Sequence, residues 1–141
     1  MNIQSAKDAL RVRPVSSFVT AVKAVYEIID MEWLMEAHPE SGGLWTELGR
    51  IIADVYMHSP NSQIVIDGEV TSFSYVQELF LHLTSDNLVD VRDRLERYPR
   101  EIRFKKAFIR TALYNTLFET EIEAENLYAV AHCIPASGDK S

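Results

Sequence analysis

Three observations predict a mainly α fold, a small bundle of five to seven helices with one short β-hairpin. Apolar residues recur at helical spacing along most of the 141-residue chain, one Asp-Gly pair separates two short β-rich runs, and hydrophobic residues make up 47% of the composition. That fraction is ordinary for a folded domain and too high for a disordered chain, and the length suffices to bury a core without disulfide or metal staples. The expected organisation is a leader or linker over residues 1–14, a single helical domain over 15–133 and a disordered tail over 134–141.

Residues 1–13 are polar and mixed, and Pro14 interrupts them. Ser16 or Ser17 then caps a first helix, since a hydroxyl there accepts from the free N–H groups one turn on. Phe18, Val22, Val25 and Ile29 share one face of it. Asp30 caps a shorter helix through Met31, Trp33, Leu34 and Met35, and His38-Pro39 ends it, because a residue before proline avoids the α region. Glu40-Ser41-Gly42-Gly43 reads as a loop. Leu44, Leu48, Ile51, Ile52 and Val55 trace the next stripe, with Gly49 inside it as a place for close helix packing.

Gln63-Ile64-Val65-Ile66, Asp67-Gly68 and Glu69-Val70-Thr71 spell the hairpin. A two-residue primed turn needs positive φ at both central positions, which suits Asp-Gly. Such a hairpin is marginal alone and must rest on a helix or a partner. Ser72 or Ser74 caps a helix that buries Val76, Leu79, Phe80 and Leu83, and Ser74 with Gln77 fits a capping box. Thr84 or Ser85 caps a helix from about Asp86 to Tyr98, with Leu88, Val91 and Leu95 inward. A strong helix follows from about Arg103 to Phe118, its wide apolar face formed by Phe104, Phe108, Ile109, Ala112 and Leu113. A further short helix is expected over Ala124 to His132. The predicted core contains Leu48, Ile52, Val55, Leu79, Phe80, Leu83, Leu95, Phe108, Ala112 and Leu113.

Composition narrows the chemistry. The apolar runs are far shorter than the roughly 20 residues that span a bilayer, and Met1 to Asp8 lack the apolar core of a signal peptide, so a cytoplasmic protein without membrane contact is expected. Cys133 stands alone. His38, His58, His82 and His132 are far apart and offer no convergent metal ligands. Glu119, Glu121, Glu123 and Glu125 gather on one stretch, where solvation and a helix dipole account for them without acid–base work. Gly42-Gly43 lacks the Gly-Lys-Ser/Thr of a phosphate loop, and no nucleophile elbow occurs. No enzymatic activity, cofactor, metal or small-molecule substrate is therefore expected.

Charge is the strongest functional feature. The net charge is −7, yet eight of the 14 Lys and Arg residues fall between Arg92 and Arg110. Only Asp93, Glu96 and Glu101 oppose them there. On a helix starting near Arg103 the 100° step places Arg103, Lys106 and Arg110 in one sector, with Tyr114 beside them. A basic row ending in an aromatic suits an acidic protein surface or a nucleic-acid backbone with a stacked base. Nucleic-acid modules usually carry a basic overall balance, so a protein partner is preferred. The alternative is a DNA- or RNA-binding accessory module using Arg92 to Arg110. A structural competitor stands beside both, in which Tyr114 packs inward and the arginines pair with the chain's own carboxylates.

The order of elements between Phe80 and Asn115 resembles the C-terminal domain of RepA-type replication initiators carried by plasmids and integrative elements of Firmicutes. The residues concerned are Phe80-Leu81-His82-Leu83, the helix through Tyr98, Ile102-Arg103 and Leu113-Tyr114-Asn115. Ile64-Val65-Ile66-Asp67-Gly68-Glu69 is similar to the family's short extended arm, and Val25-Tyr26-Glu27-Ile28-Ile29 with Trp33-Leu34 looks like its opening helices. Phe104-Lys105 and Thr116-Leu117 stand where family members tend to carry Asn-Ile and a proline. The resemblance, over Val25 to Asn115, implies a helical domain similar to that of the primosome protein DnaD. It implies a non-enzymatic, protein-interaction role in replication initiation, with a host replication protein such as primase as partner, and DNA contact as secondary. Arg103, Lys106, Arg110 and Tyr114 are the expected partner-binding residues.

Overall fold

The structure, a computed structural model, describes residues 2–12, 15–98 and 105–131, with the side chains of the last helix described as far as Glu119. It is a mainly helical bundle with one two-stranded antiparallel hairpin. The elements are α1 (Ile3–Arg11), α2 (Phe18–Ile28), α3 (Met31–Ala37), a 3-10 turn (Pro39–Ser41), α4 (Gly42–Val55), β1 (Gln63–Ile66), β2 (Glu69–Ser72), α5 (Phe73–Phe80), α6 (Ser85–Arg97) and α7 (Lys105–Ala131). Among the described residues no helix is long and apolar enough to cross a membrane.

Residues 3–11 are not the expected leader. They form a helix started by Asn2, whose side chain accepts from the Ser5 N–H at 2.7 Å. Ala6 and Leu10, one turn apart, are fully buried against the core, and Arg11 pairs with Glu78 of α5 at 2.9 Å. Two buried side chains in nine residues make a stripe too sparse to stand out from the polar background, and only the groove they fill gives the helix a reason to form.

Most helix starts follow the sequence reading. Ser17 caps α2 by accepting from the Thr20 N–H at 3.1 Å, and Asp30 caps α3 by accepting from the Trp33 N–H at 3.3 Å, its own backbone at φ 54°. Ser72, rather than Ser74, caps α5 through the Tyr75 N–H at 3.3 Å. At α6 the Asn87 carboxamide oxygen accepts from the Thr84 N–H at 2.9 Å and hydroxyl at 3.0 Å. The Gly42-Gly43 stretch departs from the loop reading. Gly42 sits at φ −53°, ψ −42°, and the 3-10 turn after Pro39 feeds straight into α4. The two C-terminal helices expected over Arg103–Phe118 and Ala124–His132 are one continuous α7, since nothing between Thr116 and Ala124 breaks a helix. Arg103, Phe104 and the 134–141 tail lie outside the described residues.

The hairpin forms as read. Asp67 at φ 53° and Gly68 at φ 79° make the primed turn, and Val65 pairs with Val70 and Ile66 with Glu69. Ile64 and Ile66 face the core, while Val65 and Val70 face out. The support it needs comes from α7, whose Thr111 hydroxyl accepts from the Asp67 N–H at 3.3 Å.

The core centres on α4, where Trp45, Leu48, Ile52, Ala53 and Val55 are buried among Leu34, Phe80, Leu83, Leu88, Val91, Ile109 and Leu113. Ala112 is buried as expected, and Leu79 and Leu95 pack against the core half-buried. Phe108 corrects the predicted list: it is half-buried, edge-on to Tyr98 at 5.0 Å between ring centroids. The inward sector of α7 is narrower than its apolar residues suggest, and Ile109, Ala112 and Leu113 fill it. Gly49 provides the close packing anticipated. A Cβ there would lie 2.6 Å from Cε1 of the Tyr26 ring on α2.

Two stability outcomes follow. Phe80→Ala should cost about 3–5 kcal/mol and Phe108→Ala clearly less, measured by chemical denaturation; equal losses would place Phe108 back in the core. Gly49→Ala should lower stability by roughly 1–2 kcal/mol despite the better helix propensity of Ala, because the clash with Tyr26 costs more than the roughly 1 kcal/mol propensity gain. A more stable Gly49→Ala variant would show that the Tyr26 ring yields freely.

Candidate functional site

Lys106 and Arg110, two of the basic residues singled out from the sequence, converge on the C-terminal half of α4. Asp54 is a carboxylate in an otherwise apolar stretch, Ile51-Ile52-Ala53-Asp54-Val55, at the edge of the core. Its Oδ2 accepts from Lys106 Nζ at 2.7 Å and from Arg110 Nη2 at 2.8 Å, and lies 3.4 Å from His58 Nε2 one turn on. Partial burial alone would raise the Asp54 carboxyl. The hydrogen bond and charge of Lys106, the His58 bond and the charge of Arg110 outweigh it and hold the group below the ordinary carboxylate range.

The Arg110 side chain is only 16% exposed. Its guanidinium lies 6.0 Å from the centre of the Phe73 ring, and the His58 ring stacks on Phe73 at 4.3 Å. Asp54, His58, Phe73 and Arg110 thus form one packed unit joining α4, α5 and α7. Tyr114, one turn further along α7, is half-buried beside Phe118, with ring centroids 4.9 Å apart. Its burial, with Tyr75 and then Glu69 and Asp67 nearby, pushes the phenol above its usual range.

This arrangement gives the expected contact residues partners within the chain. Lys106, Arg110 and Tyr114 do share a sector of α7, but that sector is turned toward α4, α5 and the hairpin. Arg110 and Tyr114 serve the packing, and Lys106, about half exposed, is the member left at the surface. Arg103 lies outside the described residues. Three further cations of the basic stretch are engaged in the same way. Arg92 meets Glu40 at 3.3 Å and Asp93 at 3.2 Å while lying over the Trp45 ring; Arg94 pairs with Asp90 at 3.1 Å and with Glu119; Lys105 pairs with Glu47 at 3.0 Å. A phosphate backbone would have to displace these carboxylates, which removes much of the gain that counterion release gives free cations.

One surface feature does combine exposed cations with an apolar wall. An open groove of about 580 Å³ runs between the start of α2, the outer face of α4 and the start of α7, lined by Phe18, Gly43, Thr46, Glu47, Arg50, Ile51, Asp54 and Lys106. Glu47, Arg50 and Asp54 lie at spacings of three and four along α4, where Arg50 would ordinarily pair with either carboxylate. Lys105 takes Glu47, and Lys106 with Arg110 takes Asp54. Arg50 is exposed and makes no ion pair among the described residues. The lining holds two cations and two carboxylates, and because Lys105 and Arg110, behind it on α7, also pair with those carboxylates, the charge of Arg50 is left uncompensated in a chain of net charge −7. Sequence reasoning passed over Arg50, which sits singly on its helix, and placed Phe18 on the apolar face of α2, where it is 38% exposed. The signal available was the Glu47, Arg50, Asp54 spacing on α4. Among the described residues no group of three or more His, Cys, Asp or Glu is placed to hold a metal ion.

Comparison with known proteins gives no neighbour: no protein-family model, curated protein or solved structure matches this chain.

Asp54→Asn should destabilise the fold by about 1–3 kcal/mol at neutral pH, because the mostly buried Arg110 loses its counter-charge. The folded-state carboxyl is depressed, so its contribution is fully present above the unfolded value of about 3.9 and is lost as pH falls through the lower folded value. The gap between wild type and Asp54→Asn should therefore hold from pH 7 to about 5 and shrink below about 4. Urea titrations across that range check it, and a gap independent of pH would mean that the charge on Asp54 contributes nothing.

Proposed function

We propose that the chain is a non-enzymatic protein-interaction module acting in replication initiation, where it contacts a host replication protein such as primase. The observation that carries the surface assignment is the groove beside α4, where Arg50 and Lys106 give a positive edge to an acidic molecule. The kind of partner rests on the resemblance of Val25 to Asn115 to the host-facing domain of plasmid replication initiators. An Arg guanidinium pairs with carboxylates in a bidentate fork, so Arg50 dominates recognition and Lys106 adds charge. Relative to the sequence expectation of Arg103, Lys106, Arg110 and Tyr114, the contact surface keeps Lys106 and moves across the groove to α4.

The test is affinity capture from a Firmicute extract, comparing wild type with an Arg50→Glu/Lys106→Gln variant. Both positions are at the surface, so thermal unfolding should show the fold retained. Capture of primase or another replication protein by wild type, lost in the variant, is the expected result. Wild type that retains no replication protein would leave the module without a replication role. Nucleic acid as the main retained species, with retention falling steeply between low and moderate salt, would mark the chain as a nucleic-acid module instead.

A further inference from the structure

We infer that the groove between α2, α4 and α7 binds a short acidic peptide segment carrying one bulky apolar side chain, an inference that rests on the protein-interaction reading and specifies its ligand. Charge complementarity selects the occupant. Arg50 projects from the face of α4 that also carries Glu47 and Asp54, yet both carboxylates are drawn to α7 by Lys105, Lys106 and Arg110. A guanidinium flanked by carboxylates engaged elsewhere is a ready partner for an incoming carboxylate, since no internal pair must be broken first. Lys106 lines the same groove, half-exposed, with spare N–H donors beyond the one given to Asp54.

The apolar part of the ligand is set by the other wall. Phe18 opens α2 with 38% of its surface exposed, although it continues the Val22, Val25, Ile29 stripe whose later members are packed inside. Across the groove Ile51 is nearly buried, and Gly43 and Thr46 keep the α4 side low. A leucine-sized side chain laid between Phe18 and Ile51 would cover the exposed ring, while acidic neighbours one or two residues away reach Arg50 and Lys106. Glu47 and Asp54 in the lining confine the contacts of an incoming anion to these two cations, which favours discrete carboxylates over the continuous charge of a nucleic-acid backbone.

The probe is a fluorescein-labelled synthetic nonapeptide of aspartate and glutamate with one central leucine, titrated with the full chain in an anisotropy assay. Saturable binding is expected, weakening about tenfold or more in Arg50→Glu, severalfold in Phe18→Ala and severalfold when the central leucine is replaced by serine. Thermal unfolding of both variants should match wild type. Absence of saturable binding by wild type overturns the inference, as does an affinity unchanged within twofold in Arg50→Glu. Binding of a single-stranded oligonucleotide that depends on Arg50, with none of the peptide, overturns it in favour of phosphate. A rise in mass to twice that of the chain that blocks peptide binding would assign the groove to a second copy and also overturns it. Capture of a replication protein that persists in the Phe18→Ala/Arg50→Glu variant would refute the groove while leaving the interaction module standing.

Discussion

The C-terminal end of α4 is buried, and a buried helix end must find donors for its last carbonyls. Gln77 of α5 supplies them. Its Nε2 donates to the Val55 carbonyl at 2.9 Å and to the His58 carbonyl at 3.0 Å, and the Tyr56 hydroxyl donates back to the Gln77 carbonyl at 2.8 Å. Gln77 and Tyr56 are each 2% exposed, so no bulk water could take over these bonds. This clamp fixes where α5 lies against α4, and the hairpin immediately before α5 is carried to its place by the same bonds. The backbone reinforces it, with Phe73 N–H donating to the Ser62 carbonyl at 2.9 Å.

From that fixed corner the rest of the bundle follows. With α5 held, Phe73 presents one ring to both His58 and Arg110, and α7 is drawn in through Arg110 and Lys106 to Asp54. Further along, the Asn87 side chain, already spent in part on the start of α6, donates through Nδ2 to the Thr116 hydroxyl at 3.1 Å inside the α6–α7 interface. Both residues are buried, and a polar pair that meets inside a protein favours one register of α7 against α6, because a slip by one residue would break this bond where water cannot replace it. The hairpin then rests on the same helix through Ile64, Ile66 and the Thr111 hydroxyl.

The charge asymmetry takes on its meaning from this geometry. The cations between Arg92 and Arg110 that are described are mostly structural: they tie α6 to the α3–α4 corner and α7 to α4, using carboxylates that sit far away in sequence. Exposed pairs of this kind contribute little individually, whereas the Asp54 cluster, with a mostly buried guanidinium, contributes more. By drawing Glu47 and Asp54 away from Arg50, the seam leaves a cation unpaired on the outer face of α4. A structural role for the basic stretch and an unpaired Arg50 at the groove are thus two consequences of one arrangement.

Local chemistry was legible in the chain itself. Ser16-Ser17, Asp30 and Thr84-Ser85 mark helix starts, Asp67-Gly68 marks the turn, and the Leu44 to Val55 stripe marks the central helix, because each depends on residues within a turn or two of one another. Tertiary structure decided what those elements meet. It made a helix of residues 3–11 by offering Ala6 and Leu10 a place to bury, and it left Phe108 half-covered where periodicity put it inside. It also turned Arg110 and Tyr114 inward and left Arg50 and Phe18 at the groove. Periodicity states which residues share a face and is silent on which carboxylate, dozens of residues away, will lie opposite a given cation, because that depends on how helices dock and not on how any one of them winds.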